Sequence, residues 1–198
     1  CQTLSGREQY SEQLKTFVDL TQIGACSGKR CSYECEREAV AQHKFYLSFE
    51  NSICRDYITE KMFNRLGRLL PIVLKRSTYV GIIPNDAFIA ADDYKCPKDL
   101  AKYLKFLSTN YTAFSRKCLI EAEIRAKEDA DDSRWETNKK YFKWIKYYEV
   151  NREFNGCGLC KYLYENRGSV KIIPSIREWW YDSGNCEPGY ARRLTCQP

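Results

Sequence analysis

Lys44 to Lys61, KFYLSFENSICRDYITEK, constrains the fold more than any other stretch, because a strand, a polar turn and a helix start follow one another within it. Phe45, Leu47 and Phe49 fall on one face of the strand Lys44 to Glu50, and Tyr46 and Ser48 on the other. That is the period-2 alternation of a half-buried strand. Asn51 and Ser52 are turn formers. Thr59 suits an N-cap, and Glu60 and Lys61 open a helical segment whose free N–H groups and positive dipole end favour an anion. Such a corner suits a phosphate.

The rest of the chain reads as further units of the same kind. Ser5-Gly-Arg-Glu8 has the form of a capping box opening a helix through Lys15, with Arg7 in its first turn and Tyr10 and Leu14 on one side. Phe17 to Ile23 alternates like a strand, and Glu36 to His43 suits a short helix. Pro71 to Leu74 and Ala87 to Ala91 are short apolar runs of the buried-strand type. Pro97 to Leu107 is amphipathic, with Pro97 near N1 and Leu100, Tyr103, Leu104 and Leu107 at spacings of three and four, which is a core-packing face. Strand and helix alternate in the order of a parallel α/β sheet.

Composition narrows the setting. At 198 residues one domain with a substantial core is expected. Eleven cysteines point to an oxidising lumen, and because the number is odd at least one thiol is left over or pairs elsewhere. Cys26, Cys31 and Cys35 are close enough for local pairing. Cys157-Gly-Leu-Cys160 lacks the second short-spaced pair that a structural zinc requires, so no metal site is expected. The net charge of +6 suits an anionic ligand, but basic residues are interleaved with 26 acidic ones, which argues against a nucleic-acid partner. No apolar run approaches the roughly 18 residues of a membrane span. Asn110-Tyr-Thr112 is an N-glycosylation sequon.

Three further motifs have plainer accounts. Gly24-Ala-Cys-Ser-Gly-Lys-Arg30 is one residue short of a P-loop and ends in Arg where Ser or Thr should bind Mg²⁺. Asp129-Ala-Asp131 sits in a charged, helix-prone run and reads as a solvated face. His43, the one histidine, has no partners that would make a catalytic set, so it is expected to be structural or exposed. The aromatic group Tyr141, Phe142, Trp144, Tyr147 and Tyr148 reads as packing in preference to a base-stacking platform.

Phe49-Glu-Asn-Ser52 followed by Tyr57, Thr59, Glu60 and Lys61 resembles the signature of the α1,3/4-fucosyltransferases. Pro71-Ile-Val-Leu74, Pro84-Asn-Asp-Ala-Phe-Ile89, Asp92-Asp93-Tyr94, Pro97-Lys-Asp-Leu100 with Tyr103 and Leu104, Tyr141-Phe-Lys-Trp144, Cys157-Gly-Leu-Cys160 and Arg177-Glu-Trp-Trp180 continue the resemblance over most of the chain. The segment from Ser115 to Thr137 is the least similar.

The resemblance implies a GT-B enzyme in which an N-terminal half holds the acceptor and a Rossmann-like C-terminal half holds GDP-fucose. This chain would be the second half, an α/β Rossmann-like parallel sheet with flanking helices that starts just after that half's first strand. Residues 1–115 would form the GDP-fucose-binding domain, 116–140 a charged variable insertion, and 141–198 a helical, cysteine-containing tail. Donor-site positions carried over by motif are Arg7, in Ser5-Gly-Arg7, with Asn51, Tyr57, Glu60 and Lys61; Tyr46 would line the same pocket.

The implied activity is inverting transfer of L-fucose from GDP-fucose to the 3-position of N-acetylglucosamine, in N-acetyllactosamine-type or N-glycan core acceptors. No cofactor is then required, and a divalent metal would be at most stimulatory. The family's general base belongs to the N-terminal half, so no catalytic base is expected here and the chain alone should be inactive. The family's C-terminal Cys-x-x-Cys pairs with cysteines of that half, which would leave Cys157 and Cys160 without partners. A Golgi membrane location, through an anchor upstream, also follows from the resemblance. Two other classes remain open on the residues: a non-catalytic GDP-sugar-binding protein, and a secreted disulfide-stapled binding module.

Overall fold

The computed structural model describes residues 2–63, 69–85, 87–117, 157–170 and 172–196. The Asp129 to Asp131 motif, the aromatic group from Tyr141 to Tyr148, the insertion beyond residue 117 and the Cys157 side chain lie outside them.

Three parallel strands, β1 (Phe45–Leu47), β2 (Leu70–Val73) and β3 (Ile89–Ala90), lie in the order β1-β2-β3. Phe45 is opposite Leu70 and Leu47 opposite Ile72; Ile72 is in turn opposite Ile89. Pro71 is tolerated in the central strand because Leu70 supplies the N–H that bonds toward β1, to the Lys44 carbonyl, while pairing with β3 begins only at Ile72.

Parallel sheets are stable when both faces are covered, and alternation along the strands supplies two apolar faces here. On one face Phe49, Leu70, Ile72, Leu74, Ile89 and Ala91 meet Tyr10 and Leu14 of α1 (Arg7–Lys15) and Leu100, Ala101, Leu104 and Leu107 of α4 (Pro97–Thr109). On the other, Val73, Phe88 and Ala90 meet Met62 of α3 (Glu60–Phe63) with Tyr79 and Ile83. Each buried Leu or Ile contributes about 1.5–3 kcal/mol. The result is a small α/β sheet with flanking helices, the architecture of a Rossmann-like half-domain.

Four local expectations are corrected. Strand β1 is shorter than Lys44 to Glu50 because the carbonyls beyond it are diverted: Arg7 Nη1 takes that of Phe49, Ser5 Oγ that of Glu50 and Ser5 N that of Asn51. For the same reason the capping box does not form. Gly6, at φ 71°, occupies the N-cap position of α1, and Glu8 turns to the backbone N and hydroxyl of Thr3. A side chain at Gly6 would meet Arg192 Cγ at 2.8 Å, so the position demands glycine twice over. Phe17 to Ile23 forms no strand. Phe17 and Val18 pack on the core while Thr21, Gln22 and Ile23 are exposed, and the alternation has no neighbouring ladder to join. Helix α2 (Tyr33–Gln42) starts earlier than Glu36 because Ser32 caps it through the Cys35 N–H.

Helices α5 (Tyr111–Lys117) and α6 (Cys157–Glu165), a π-helical turn (Glu178–Asp182) and α7 (Tyr190–Arg193) follow. The final segment returns to the segment that precedes α1: Gly189 N and Ala191 N bond to the carbonyls of Leu4 and Ser5. Two long-range disulfides, Cys54–Cys186 and Cys96–Cys196, fasten it, and Cys31–Cys35 closes a local loop. Cys26 is disulfide-bonded too, whereas Cys160 is free and exposed. Among the described residues no helix is long and apolar enough to cross a membrane.

Candidate functional site

Ligands of parallel α/β sheets bind beyond the carboxyl ends of the strands, and the end of β1 is where charged side chains gather. Arg7, first residue of α1, donates from Nη1 to the Phe49 carbonyl at 2.5 Å, with its Nε 3.6 Å from a Glu8 carboxylate oxygen. It lines a cleft of about 460 Å³ together with Tyr46, bounded by residues 20–24, α2 and β1.

Glu50 is buried and Thr59 satisfies both of its oxygens, the backbone N–H at 2.7 Å and the hydroxyl at 2.7 Å. Its carboxylate also lies 3.5 Å from Lys61 Nζ. Lys61 Nζ further donates to Thr59 Oγ1 at 3.0 Å and to Glu60 Oε1 at 3.1 Å. Burial pulls the pKa of Lys61 down, but the bonds and charges of Glu60 and Glu50 outweigh it, and the ammonium is held above its ordinary value. The bond from Lys61 holds the Glu60 carboxyl below the usual carboxylate range. Burial, then the Glu50 charge, pushes the Tyr79 phenol up, so Tyr79 stays neutral beneath the site.

The structure therefore holds both sequence-nominated cations to neighbouring residues, Arg7 on the Phe49 carbonyl and Lys61 on the Glu50 carboxylate. It gathers Arg7 and Tyr46 in one cleft and pairs Glu60 with Lys61; Asn51, Tyr57, Glu60 and Lys61 do not line that cleft. Asn51 is exposed, with its carbonyl on Ser5 N at 2.8 Å, and Tyr57 packs edge-on against Trp180 at 5.5 Å. Helix α3 spans four residues, and Thr59 offers the Lys61 N–H a long cap bond of 3.5 Å. Electrostatic strength at this corner thus comes from side-chain charge more than from a helix end.

Glu50 and Trp180 stand in quoted motifs but were given no role by the sequence reading. A signal for Glu50 existed, because alternation places it on the Ser48 side of the strand, and a carboxylate that enters the interior needs a partner. Nothing local announces Trp180.

His43 is structural: Nδ1 lies 2.7 Å from the Ala39 carbonyl and Nε2 2.8 Å from the Thr21 hydroxyl. Asn110 is exposed, ends α4 and accepts the Ala113 N–H at 2.9 Å, starting α5. Among the described residues no three His, Cys, Asp or Glu side chains are placed to hold a metal ion.

Residues 1–117 match the family model described as glycosyltransferase family 10 (fucosyltransferase), C-terminal. The chain belongs to this family. It is 32% identical over 196 residues to glycoprotein 3-alpha-L-fucosyltransferase A of Drosophila melanogaster, covering 94% of the chain and 34% of that relative. Against alpha-(1,3)-fucosyltransferase fut-1 of Caenorhabditis elegans the identity is 28%, over 91% of the chain and 40% of the relative. Human 4-galactosyl-N-acetylglucosaminide 3-alpha-L-fucosyltransferase 9 is 30% identical over 89% of the chain and 44% of its own length. This family 10 chain thus spans between about a third and under half of these relatives.

Proposed function

We propose that this chain is the GDP-fucose-binding half of an α1,3-fucosyltransferase, which moves L-fucose to the 3-hydroxyl of N-acetylglucosamine on glycoprotein or glycolipid glycans with inversion at the anomeric carbon. The observation that carries the reading is the pair of cations held beyond one strand end, Arg7 on Phe49 and Lys61 on the buried Glu50.

Breaking the sugar–phosphate bond leaves negative charge on the β-phosphate. Fixed cations stabilise that charge as it develops, and a site already holding them in place needs no reorganisation at that moment. Arg7 and Lys61 fill this role, which assigns no step to a metal; a divalent ion is at most stimulatory. Before donor binding Lys61 leans on Glu60. In the proposed complex the diphosphate takes the ammonium and frees the Glu60 carboxylate, an acceptor-only group, for the two ribose hydroxyls. Asn51, Tyr57 and Tyr46 complete the donor contacts.

The acceptor proton goes to a carboxylate of the N-terminal half, so no base is assigned among these residues and the isolated chain is expected to bind GDP without turnover. The anomeric carbon inverts because the acceptor oxygen attacks opposite the leaving diphosphate. The disulfides and the exposed sequon at Asn110 favour a luminal setting, and a Golgi membrane location through an upstream anchor is part of the same proposal. Calorimetry with GDP on the full-length protein and on Lys61→Ala, followed by radiolabelled transfer assays, tests it. Retained GDP affinity and unchanged turnover in the variant would sink the mechanism.

A further inference from the structure

A second cavity, of about 400 Å³, opens beside the ends of β1 and β2, and the donor-site reading makes no use of it. Its walls are residues 53–56, residues 75–82 and the returning tail at Asn185 and Glu187. We propose that it is a subsite for a neutral carbohydrate ring of the acceptor glycan, so that the donor half itself contributes to acceptor choice. This rests on the fucosyltransferase reading for its role, though not for its chemistry.

The lining chooses among ligand classes. It holds two cations, Arg55 and Lys75, and two carboxylates, Asp56 and Glu187, so its formal charges cancel. Lys75 is ion-paired with Glu187, and Arg55 donates to the Ser183 carbonyl at 2.5 Å. A phosphate would find no net positive field there. Ser77, Thr78 and Asn185 offer donors and acceptors together, the complement of a polyol, while Ile53, Val80 and Ile82 supply aliphatic surface for the C–H face of a ring. Val80 is 53% exposed, so its methyl groups are open to a ligand.

The walls are also held in place before any ligand arrives. The Cys54–Cys186 disulfide, the 2.6 Å bond from Arg55 N to the Gly184 carbonyl and the 2.7 Å bond from Glu187 N to the Ile53 carbonyl tie loop to tail. The two described non-glycine residues with left-handed backbone, Asp56 at φ 61° and Asn185 at φ 46°, both line the cavity. Strain of that kind persists where surrounding structure over-determines it. Residues 54–56 lie within the donor signature, between Asn51 and Tyr57, so the cavity adjoins residues that the donor reading uses.

Two variants of the full-length protein decide the matter. Ser77→Trp fills the cavity, and Asn185→Gly removes the amide while keeping the left-handed backbone. Saturation-transfer NMR with N,N′-diacetylchitobiose as probe is expected to show a protein–sugar signal that Ser77→Trp abolishes, with GDP affinity by calorimetry unchanged. In steady state Asn185→Gly should raise the acceptor KM on the order of fivefold, the loss of one hydrogen bond, and leave the GDP-fucose KM alone. A sugar signal and acceptor KM indifferent to both variants would overturn the subsite. A sugar signal lost in Ser77→Trp from a parent that binds no GDP would keep the subsite and overturn the donor reading instead.

Discussion

Two neighbouring regions at the same edge of the sheet are secured by opposite means. Around Lys61 the restraints are local and electrostatic: Glu50, Thr59, Glu60 and Lys61 hold one another within a dozen residues, around a carboxylate only 1% exposed. Around Cys54 they are remote and covalent, because the loop is pinned to a tail 132 residues away. A buried charge network orients a cation rigidly and can still release it to a ligand that offers better charge. A disulfide cannot adapt in that way, so it suits a wall more than a catalytic contact.

The comparison breaks most visibly at the disulfide. Replacing Cys54 and Cys186 together by Ser is expected to cost about 4–5 kcal/mol by the loop-entropy argument, read as a fall in the thermal midpoint. At temperatures where the variant stays folded GDP should still bind, because the restraints on Lys61 do not pass through the tail; parallel loss of GDP affinity would mean the two regions are one.

Next is the cation itself. Lys61→Ala should lower turnover of the full-length enzyme by about 10²–10³-fold, the scale for one transition-state charge contact. Because it leaves the buried Glu50 carboxylate without its counter-ion, the thermal midpoint should fall as well. Turnover is therefore compared below the variant's midpoint, where its circular dichroism spectrum should match the parent's.

Glu50 then separates charge from scaffold. Glu50→Ala leaves the half-buried Thr59 N–H without its acceptor and is expected to destabilise by about 1–3 kcal/mol. Glu50→Gln keeps an acceptor for Thr59 but removes the charge beside Lys61, so it should fold better than Glu50→Ala while changing the GDP affinity and its alkaline limb. Equal stability of the two in denaturant titrations would contradict the role given to Thr59.

The smallest effect belongs to pH. The Glu60 carboxyl lies below its ordinary value when folded, so its contribution is present above the unfolded pKa of about 4.3 and is lost as pH falls through the folded value. Lys61 lies above its ordinary value, so its share is complete below about 10.4 and is lost as pH rises through the folded value. Glu60 is largely exposed, which limits the pair to about 0.2–1 kcal/mol. Glu60→Gln should therefore flatten the acid side of the stability profile only slightly, and a large change there would show that Glu60 is buried in solution.

Strand β2, helix α4 and the corner from Phe45 to Lys61 were readable along the chain because their signals, alternation and three-four spacing, lie within a few residues. The apparent strand Phe17 to Ile23 was misleading for a related reason: alternation reports a half-buried surface and says nothing about whether a ladder exists to receive it. Ser5 and Glu8 have the spacing of a capping box, yet the carbonyls of Glu50 and Asn51 compete for Ser5 and win. The joining of Cys54 to Cys186 and Cys96 to Cys196 had no local trace at separations of 132 and 100 residues.

Residue order was enough to specify a strand-to-helix corner carrying Glu60 and Lys61 and a parallel α/β class, since these depend on short-range periodicity and on side-chain chemistry, while Arg7 was nominated through the family resemblance. Only folding settled that a buried glutamate would orient the lysine, that α1 would stitch itself to the end of β1, and that the tail would wall a second cavity. Each of those depends on desolvation and on contacts between distant parts of the chain, and such terms exist only once the chain has packed.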